Sequence, residues 1–352
     1  MCAGLTIGAR AVRAQIAVSA NDNKAVLVDG VNTVVKSPRP DTVTLIDLGV
    51  SPPQLLGSMA APNSVIGPPQ NVAIAPGGAI ALVASSTKID PADATKTVPD
   101  DVVSVIDLKA TPLRVTATLH AGRGASGVSF SPDGKLVLVA NRMAGTISVF
   151  TVEGATLTPA GTVDLGAPDS GPSHVAFTRD GRRALVTRNN DSLISLLSVD
   201  GKTVTYTKRD IAAGVKPYGI EVTPAGDVAV VAHIGVGATG GVDTLAVIDL
   251  TAEPPRVVDQ VVAGPTVEGL AISADGQYVA ATVMDGSNLA KSSPFFHEAG
   301  RLRVHHYRGA QMTAHGFVDL LAELGVHPSH GRPRASNNNA FSQAPFKTLK
   351  YA

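Results

Sequence analysis

Arg142, His174, Arg188, Asn189, Lys216, Tyr218, His233 and Glu268 are the residues of this sequence whose types and spacing could serve a common chemistry. They sit at two recurring places. One is the end of a short apolar run, as in Asn141-Arg142, Arg188-Asn-Asn-Asp191, His233 and Asp285. The other is the lead-in to the next run, as in Pro69-Gln70-Asn71, Gly171-Pro-Ser-His174, Lys216-Pro-Tyr-Gly219 and Val267-Glu-Gly269. Guanidinium, imidazole, ammonium and phenol groups gathered in one place can hold a carboxylate, a phosphate or a lactone carbonyl. The plainer alternative is that these groups line a water-filled channel and satisfy nearby loop backbones. No G-x-S-x-G, H-E-x-x-H or Walker loop is present, so no known catalytic device announces itself. No cofactor is expected. The acids Asp90, Asp93, Asp100 and Asp101 lack an EF-hand pattern and read as a solvated loop. His305-His306 reads as surface, and the single Cys2 excludes an internal disulfide.

What must position these residues is a repeat. Ser131-Pro-Asp-Gly134 is a tight turn, with Pro pre-setting φ and Gly accepting the positive φ that follows. Gly127–Phe130 before it, and Leu136–Val139 and Ile147–Phe150 after it, are short apolar runs that read as strands. The same turn recurs at Asp22-Asn23-Lys24, Pro76-Gly77-Gly78, Arg179-Asp180-Gly181, Pro224-Ala225-Gly226 and Ala274-Asp275-Gly276. The spacing of 45 to 56 residues suits a four-stranded propeller blade with loops of variable length. The expectation is an all-β chain of six four-stranded antiparallel blades, at about 15–62, 66–122, 123–167, 171–214, 216–264 and 266–304. The sixth is incomplete and the ring is expected to stay open.

Composition agrees, with 35 Gly, 24 Pro, no Trp and 16% charged residues among 352, as short strands and many turns require. In the first blade the expected strands are Lys24–Val28, Thr42–Ile46 and Leu55-Leu56, and in the last Leu270–Ile272, Tyr278–Ala281 and Leu302–Val304. With up-and-down strands, the repeated turns share one face. The long second-to-third loops and the blade lead-ins share the other, where binding residues mounted on a rigid scaffold are expected. Arg142, His174, Arg188 and His233 should therefore meet at one channel mouth, with Asp133 and Asp180 on the opposite face.

The combination of this turn with L-V-L-V-A-N, G-T-I-S-V-F and D-T-L-A-V-I-D-L strands resembles the YVTN-type β-propellers, whose relatives include lactonase-like seven-bladed propellers and other exported proteins. The resemblance spans about residues 15–304 and implies a propeller of periplasmic or exported type. It rests on turn and core residues, so it speaks to fold more than to function. Residues 1–14, ending in Val12-Arg-Ala14, read as an incomplete signal-peptide remnant.

From Gly300 onward seven basic residues face two acids, a charge of +5 against −5 for the rest. Thr313 can cap a helix over Ala314–Leu324, with Phe317, Leu320, Leu321 and Leu324 on one side. The stretch 304–351 resembles the end of the integrase-type catalytic core of insertion-sequence transposases. The resemblance places that family's second and third acids at Tyr307 and Gln343, with 35 residues between them. Tyr and Gln cannot replace two carboxylates that hold divalent ions, so a catalytically dead fragment is expected, with at most weak, salt-sensitive nucleic-acid affinity.

The reading that follows is a ligand- or protein-binding propeller without catalysis, truncated and joined to this remnant. Its partner would be a small anionic or carbonyl ligand, or a protein, on the loop-rich face. The alternative is a lactonase-like hydrolase at the channel mouth, which an acid or His cluster converging on one point would favour. A DNA-integration protein is the third possibility. No run approaches a membrane span, and open blade edges would promote self-association.

Overall fold

Alternation of buried Val, Leu and Ile with turn-forming Gly, Asp and Pro makes this chain fold as a succession of small twisted antiparallel sheets. The computed structural model describes residues 16–64, 70–236 and 242–296, and the backbone of strands Arg303–His306 and His327–His330. Four sheets are complete four-stranded blades, built in the order first, second, third, fourth strand. The blade opened by Ala125–Phe130 is typical. It continues through Leu136–Asn141, Thr146–Glu153 and Thr156–Asp164, each paired antiparallel with the one before.

The second strands carry the core. Every residue of Leu136–Asn141 is buried, because a blade's inner strands are covered on both faces by neighbouring blades. Outer strands such as Gln54–Ala60 and Arg114–His120 alternate with solvent. Phe150, Val137 and Val139 of the third blade pack on Ile80, Leu82 and Val105 of the second, and Leu138, Ala140 and Ile147 on Val175 and Val186 of the fourth. The propeller expectation holds, and the described part contains no helix.

The first blade departs from the expected register. Asp22-Asn23-Lys24 is not its first-to-second turn. The segment follows strand Ile16–Asn21, which pairs with Thr42–Asp47 as Leu136–Asn141 pairs with Thr146–Glu153. Asn21 is thus the counterpart of Asn141, and the blade is a three-stranded sheet in the described residues. Ala25–Val28 pairs with Val31–Val34 in a separate hairpin instead. The turn-like composition of Asp22-Asn23-Lys24 has another cause: Lys24 Nζ is buried 2.7 Å from Asp41 Oδ2 and 3.3 Å from Asp22 Oδ1, anchoring the hairpin base.

The sixth blade is also shorter than expected. Val267–Ile272 and Val279–Val283 form a two-stranded sheet, and no third strand joins it among the described residues. Arg303–His306 pairs in parallel with His327–His330. The predicted helix over 314–324 lies outside the described residues. First and sixth blades do meet, through loops rather than strands. The Lys291 N–H donates to Asp29 Oδ1 at 2.6 Å, and a Cβ on Gly30 would lie 2.8 Å from the backbone at Leu289 and Ala290. Gly30, at φ +79°, is the residue that permits this approach. Val26, Leu27, Val28 and Val31 on the hairpin remain exposed, as do Leu55 and Leu56 on the first blade's outer strand.

Candidate functional site in the central channel

The repeated turns establish which face is which. A Cβ added to Gly134 would lie 3.6 Å from Pro76, and one on Gly181 3.7 Å from Pro132, so successive turns follow one another around one face. Their aspartates are committed to the turn. Asp133 Oδ1 accepts from Ser131 Oγ at 2.7 Å and the Lys135 N–H at 3.1 Å, and Asp180 Oδ1 from Thr178 Oγ1 at 2.6 Å and the Arg182 N–H at 3.0 Å. Those hydrogen bonds hold both carboxyls below the usual range. A six-residue strand spans roughly 17–20 Å, which separates these aspartates from Asn141, Arg188 and the other strand ends on the loop face.

On the loop face the expected cluster divides in two. Arg142 lies at the junction of three blades. Its Nη1 donates to Ser173 Oγ and its Nη2 to Asn189 Oδ1 at 2.9 Å, while the guanidinium carbon stands 5.4 Å above the Tyr218 ring. Asn189 Nδ2 in turn donates to the Pro217 carbonyl at 3.4 Å, and Thr187 Oγ1 to the Tyr218 carbonyl at 2.7 Å. Burial raises the pKa of Tyr218, with Arg142 pulling it down and Glu268 pushing it up. Burial also raises the Glu268 carboxyl. Gln70 reaches the same place, since a Cβ on Gly219 would collide with its Nε2 and lie 2.9 Å from the Glu268 carbonyl. Gly219 is there because nothing larger fits.

Arg188 and His233 do not join this group, for a reason shared by four blades. There the polar residue closing the second strand turns across its own sheet. Asn141 Nδ2 donates to Thr146 Oγ1 at 2.9 Å and Ser148 Oγ at 3.0 Å, and Asn21 Nδ2 to Thr42 Oγ1 at 3.3 Å and Thr44 Oγ1 at 3.2 Å. Arg188 does the same with Ser195 Oγ at 3.2 Å, and pairs with Asp191 and, at 3.4 Å, with Asp210. His233 Nδ1–H donates to the Thr244 carbonyl at 3.0 Å, which leaves Nε2 with the lone pair facing Gly214. Strand-end polarity here serves the blade.

His174 belongs to the wall between blades. Its Nδ1 accepts the Ile220 N–H at 3.2 Å, and its ring fills the space beside Gly127. Complete burial lowers its pKa to about 3. A histidine buried neutral stabilises the fold fully above its unfolded pKa of about 6.5, and that stability is lost as pH falls towards 3. Acid unfolding should therefore steepen below pH 6 by about 1.4 kcal/mol per pH unit for this one site. Urea titrations at pH 7, 5 and 4 check it, and His174→Gln should flatten the slope. Lys216 opens the fifth blade with its N–H on Ser192 Oγ at 3.1 Å, and its side chain is half-buried. Tyr307 and Gln343 lie outside the described residues.

A cavity of about 540 Å³ runs from Gln70 and His174 to the turn-face prolines Pro76, Pro132 and Pro224, past Phe130, Phe177 and Glu221. It meets the polar cluster at Gln70. Burial raises the Glu221 carboxyl, whose Oε2 accepts the Ile272 N–H at 2.9 Å. Gln70, Ser173 and Glu221 are members of the channel that sequence reasoning missed. The first two stand in the quoted lead-ins Pro69-Gln70-Asn71 and Gly171-Pro-Ser-His174, so position in the repeat was the available signal. No group of three or more potential ligands for a metal occurs among the described residues.

The fold and this channel define a β-propeller with a polar site where its inner strands begin. A family model described as lactonase, 7-bladed β-propeller, matches residues 101–218, about a third of the chain. That span contains Arg142, Ser173, Asn189 and Tyr218. Among solved structures, a candidate 6-phosphogluconolactonase from Bacteroides fragilis NCTC 9343 is similar at 15% identity and TM-score 0.55, covering 77% of this chain and 74% of that one. A protein of unknown function from Desulfotomaculum acetoxidans DSM 771 aligns at 14% identity and TM-score 0.54, over 69% of each chain. Kuenenia stuttgartiensis hydrazine synthase aligns at 20% identity and TM-score 0.51, over 69% and 67%. At these identities the likeness is one of fold. No curated protein matches the sequence. Nothing in the comparisons supports the transposase-like resemblance of 304–351.

Proposed function

We propose that this propeller binds a small lactone at the loop-face end of its channel and hydrolyses it to the hydroxy acid. The observation that carries the reading is the Arg142 guanidinium, held by Ser173 and Asn189 and standing 5.4 Å from the Tyr218 ring, with the Glu268 carboxyl near enough to act on Tyr218. A guanidinium has five N–H donors. Two of Arg142's are taken by Ser173 and Asn189, so donors remain for a carbonyl oxygen. Glu268, ionised, would take a proton from a water attacking that carbonyl. The oxyanion that forms would face the Arg142 guanidinium, where fixed donors in a partly buried site stabilise developing charge. Collapse breaks the ring C–O bond, and the protonated Glu268 returns its proton to the departing alkoxide. Water and lactone are consumed, and one hydroxy acid with its carboxyl proton is the product.

A second reading, binding without turnover, has an observation of its own. The stretch matched by the lactonase family model ends at residue 218. It includes the anchoring residues but neither Glu268 nor Gln70. The two readings part in one experiment: initial rates of acid release, followed by pH-stat, for five- and six-membered lactones with the purified chain. Saturable hydrolysis above the spontaneous rate is expected. Saturable product binding with no acceleration would establish the second reading.

A further inference from the structure

We infer that the turn-face half of the channel is a second binding site, for a short apolar peptide or free amino acid whose carboxylate meets Arg179 and whose ammonium meets Glu221 and Gln70. The repeat supplies its own control. A Cβ on Gly134, Gly181, Gly226 or Gly276 would meet Pro76, Pro132, Arg179 or Pro224 of the preceding turn. Proline suits that turn position, so the turn itself does not call for an arginine. Arg179 lines the cavity, and its guanidinium has no hydrogen bond or ion pair among the described residues. Glu221 is the second departure. It stands two residues before Thr223, whose N–H bonds the Val228 carbonyl at 2.9 Å. The same place in other blades holds Ala73, Ser129, Ala176 and Ala271. Two charged side chains thus replace proline and small residues on adjacent blades, and both line one cavity.

The demands of these groups select a zwitterion. An arginine fork matches a carboxylate. Glu221 uses Oε2 on the Ile272 N–H at 2.9 Å. Burial raises its carboxyl and no basic side chain pulls it back, so it lacks a counter-ion. Gln70 Oε1, at the inner end of the cavity, is buried without a hydrogen-bond partner. Both want N–H donors, which an ammonium brings. A simple anion would be opposed by Glu221, and a simple amine by Arg179. Between the charged groups the walls are apolar, with Val128, Phe130, Val175, Phe177, Ile220 and Val222. The inner strands add what a peptide bond needs. Val128 and Ile220 turn their N–H groups away from their own sheets, to the Gln70 carbonyl at 3.1 Å and His174 Nδ1 at 3.2 Å. The period of two directs the Phe130 and Val222 N–H groups the same way, where no described residue accepts them. Neither Arg179 nor Glu221 takes part in the lactone chemistry above, so the two readings stand or fall separately.

The test is calorimetric titration of the full chain with leucyl-leucine, its N-acetyl derivative and its C-terminal amide. Leucyl-leucine should bind saturably, and blocking either end should weaken binding at least tenfold. Arg179→Pro installs the residue that three other turns carry. It should erase the preference over the amide and keep the preference over the N-acetyl form. Glu221→Gln retains an acceptor for the Ile272 N–H and should do the converse. Absence of saturable binding by leucyl-leucine overturns the inference, as does equal binding of the blocked and free forms. Tighter binding of the N-acetyl form, the mark of a site for anions alone, overturns it too. So does full discrimination at both ends in both variants.

Discussion

Glu268→Gln should lower kcat for lactone hydrolysis by about a hundredfold or more, the usual scale for losing a positioned general base. Folding should be retained. The exchange is isosteric, and burial already favours the uncharged carboxyl at this position. A carboxyl whose folded pKa is raised contributes stability at low pH and loses it as pH rises through that pKa. Replacing it with a neutral amide therefore removes a penalty at pH 7 rather than a support. The expected result is a thermal midpoint equal to or above that of the unaltered chain, with turnover largely gone. Circular dichroism melts beside pH-stat rates measure both. A variant that is destabilised and fully active per folded molecule would assign Glu268 to structure.

The largest effect on stability should come from Phe150→Ala. Phe150 is 1% exposed and packs in the cluster that joins the second and third blades, against Ile80, Leu82 and Val105. Truncating a buried phenylalanine costs about 3–5 kcal/mol, from lost burial and the cavity left behind. The wall of that cavity belongs to two sheets whose own hydrogen bonds resist collapse. Leu55→Ala offers the contrast. Leu55 is 68% exposed on the first blade's outer strand, and its loss should stay within about 0.5 kcal/mol. Chemical denaturation of both variants checks the pair. Equal effects would mean that the first blade is covered in solution by something that buries Leu55.

The propeller was legible because its signals are local. Ser131-Pro-Asp-Gly134 and Leu136–Val139 carry turn chemistry and burial in consecutive residues, and repetition multiplied the signal. The first blade was misread because Asp22-Asn23-Lys24 has turn composition for a different reason, the buried Lys24–Asp41 pair. The site was half legible. Arg142, Asn189 and Tyr218 meet because each stands where an inner strand begins or a second strand has just ended. Arg188 and His233 stand one position earlier in the repeat than Asn189 and the Arg142 equivalent. In a strand, one position reverses the direction of a side chain. Their side chains consequently cross the sheet to Asp210 and to the Thr244 carbonyl. Residue type alone cannot register a shift of one. Gln70 and Glu221 were missed because a neutral amide and a mid-strand glutamate carry no motif.

The contrast between Arg142 and Arg188 tests the central claim most directly, since both are arginines of the loop face and only one faces the channel cluster. The measurement is kcat/KM for lactone hydrolysis by Arg142→Met and Arg188→Met, each normalised to the folded fraction. Arg142→Met should lose about a hundredfold or more, as when a fixed oxyanion donor is removed. Arg188→Met should be less stable, with Asp191 and Asp210 left unpaired, yet hydrolyse within a few-fold of the unaltered chain. A collapse of activity in Arg188→Met with Arg142→Met unaffected would contradict the account.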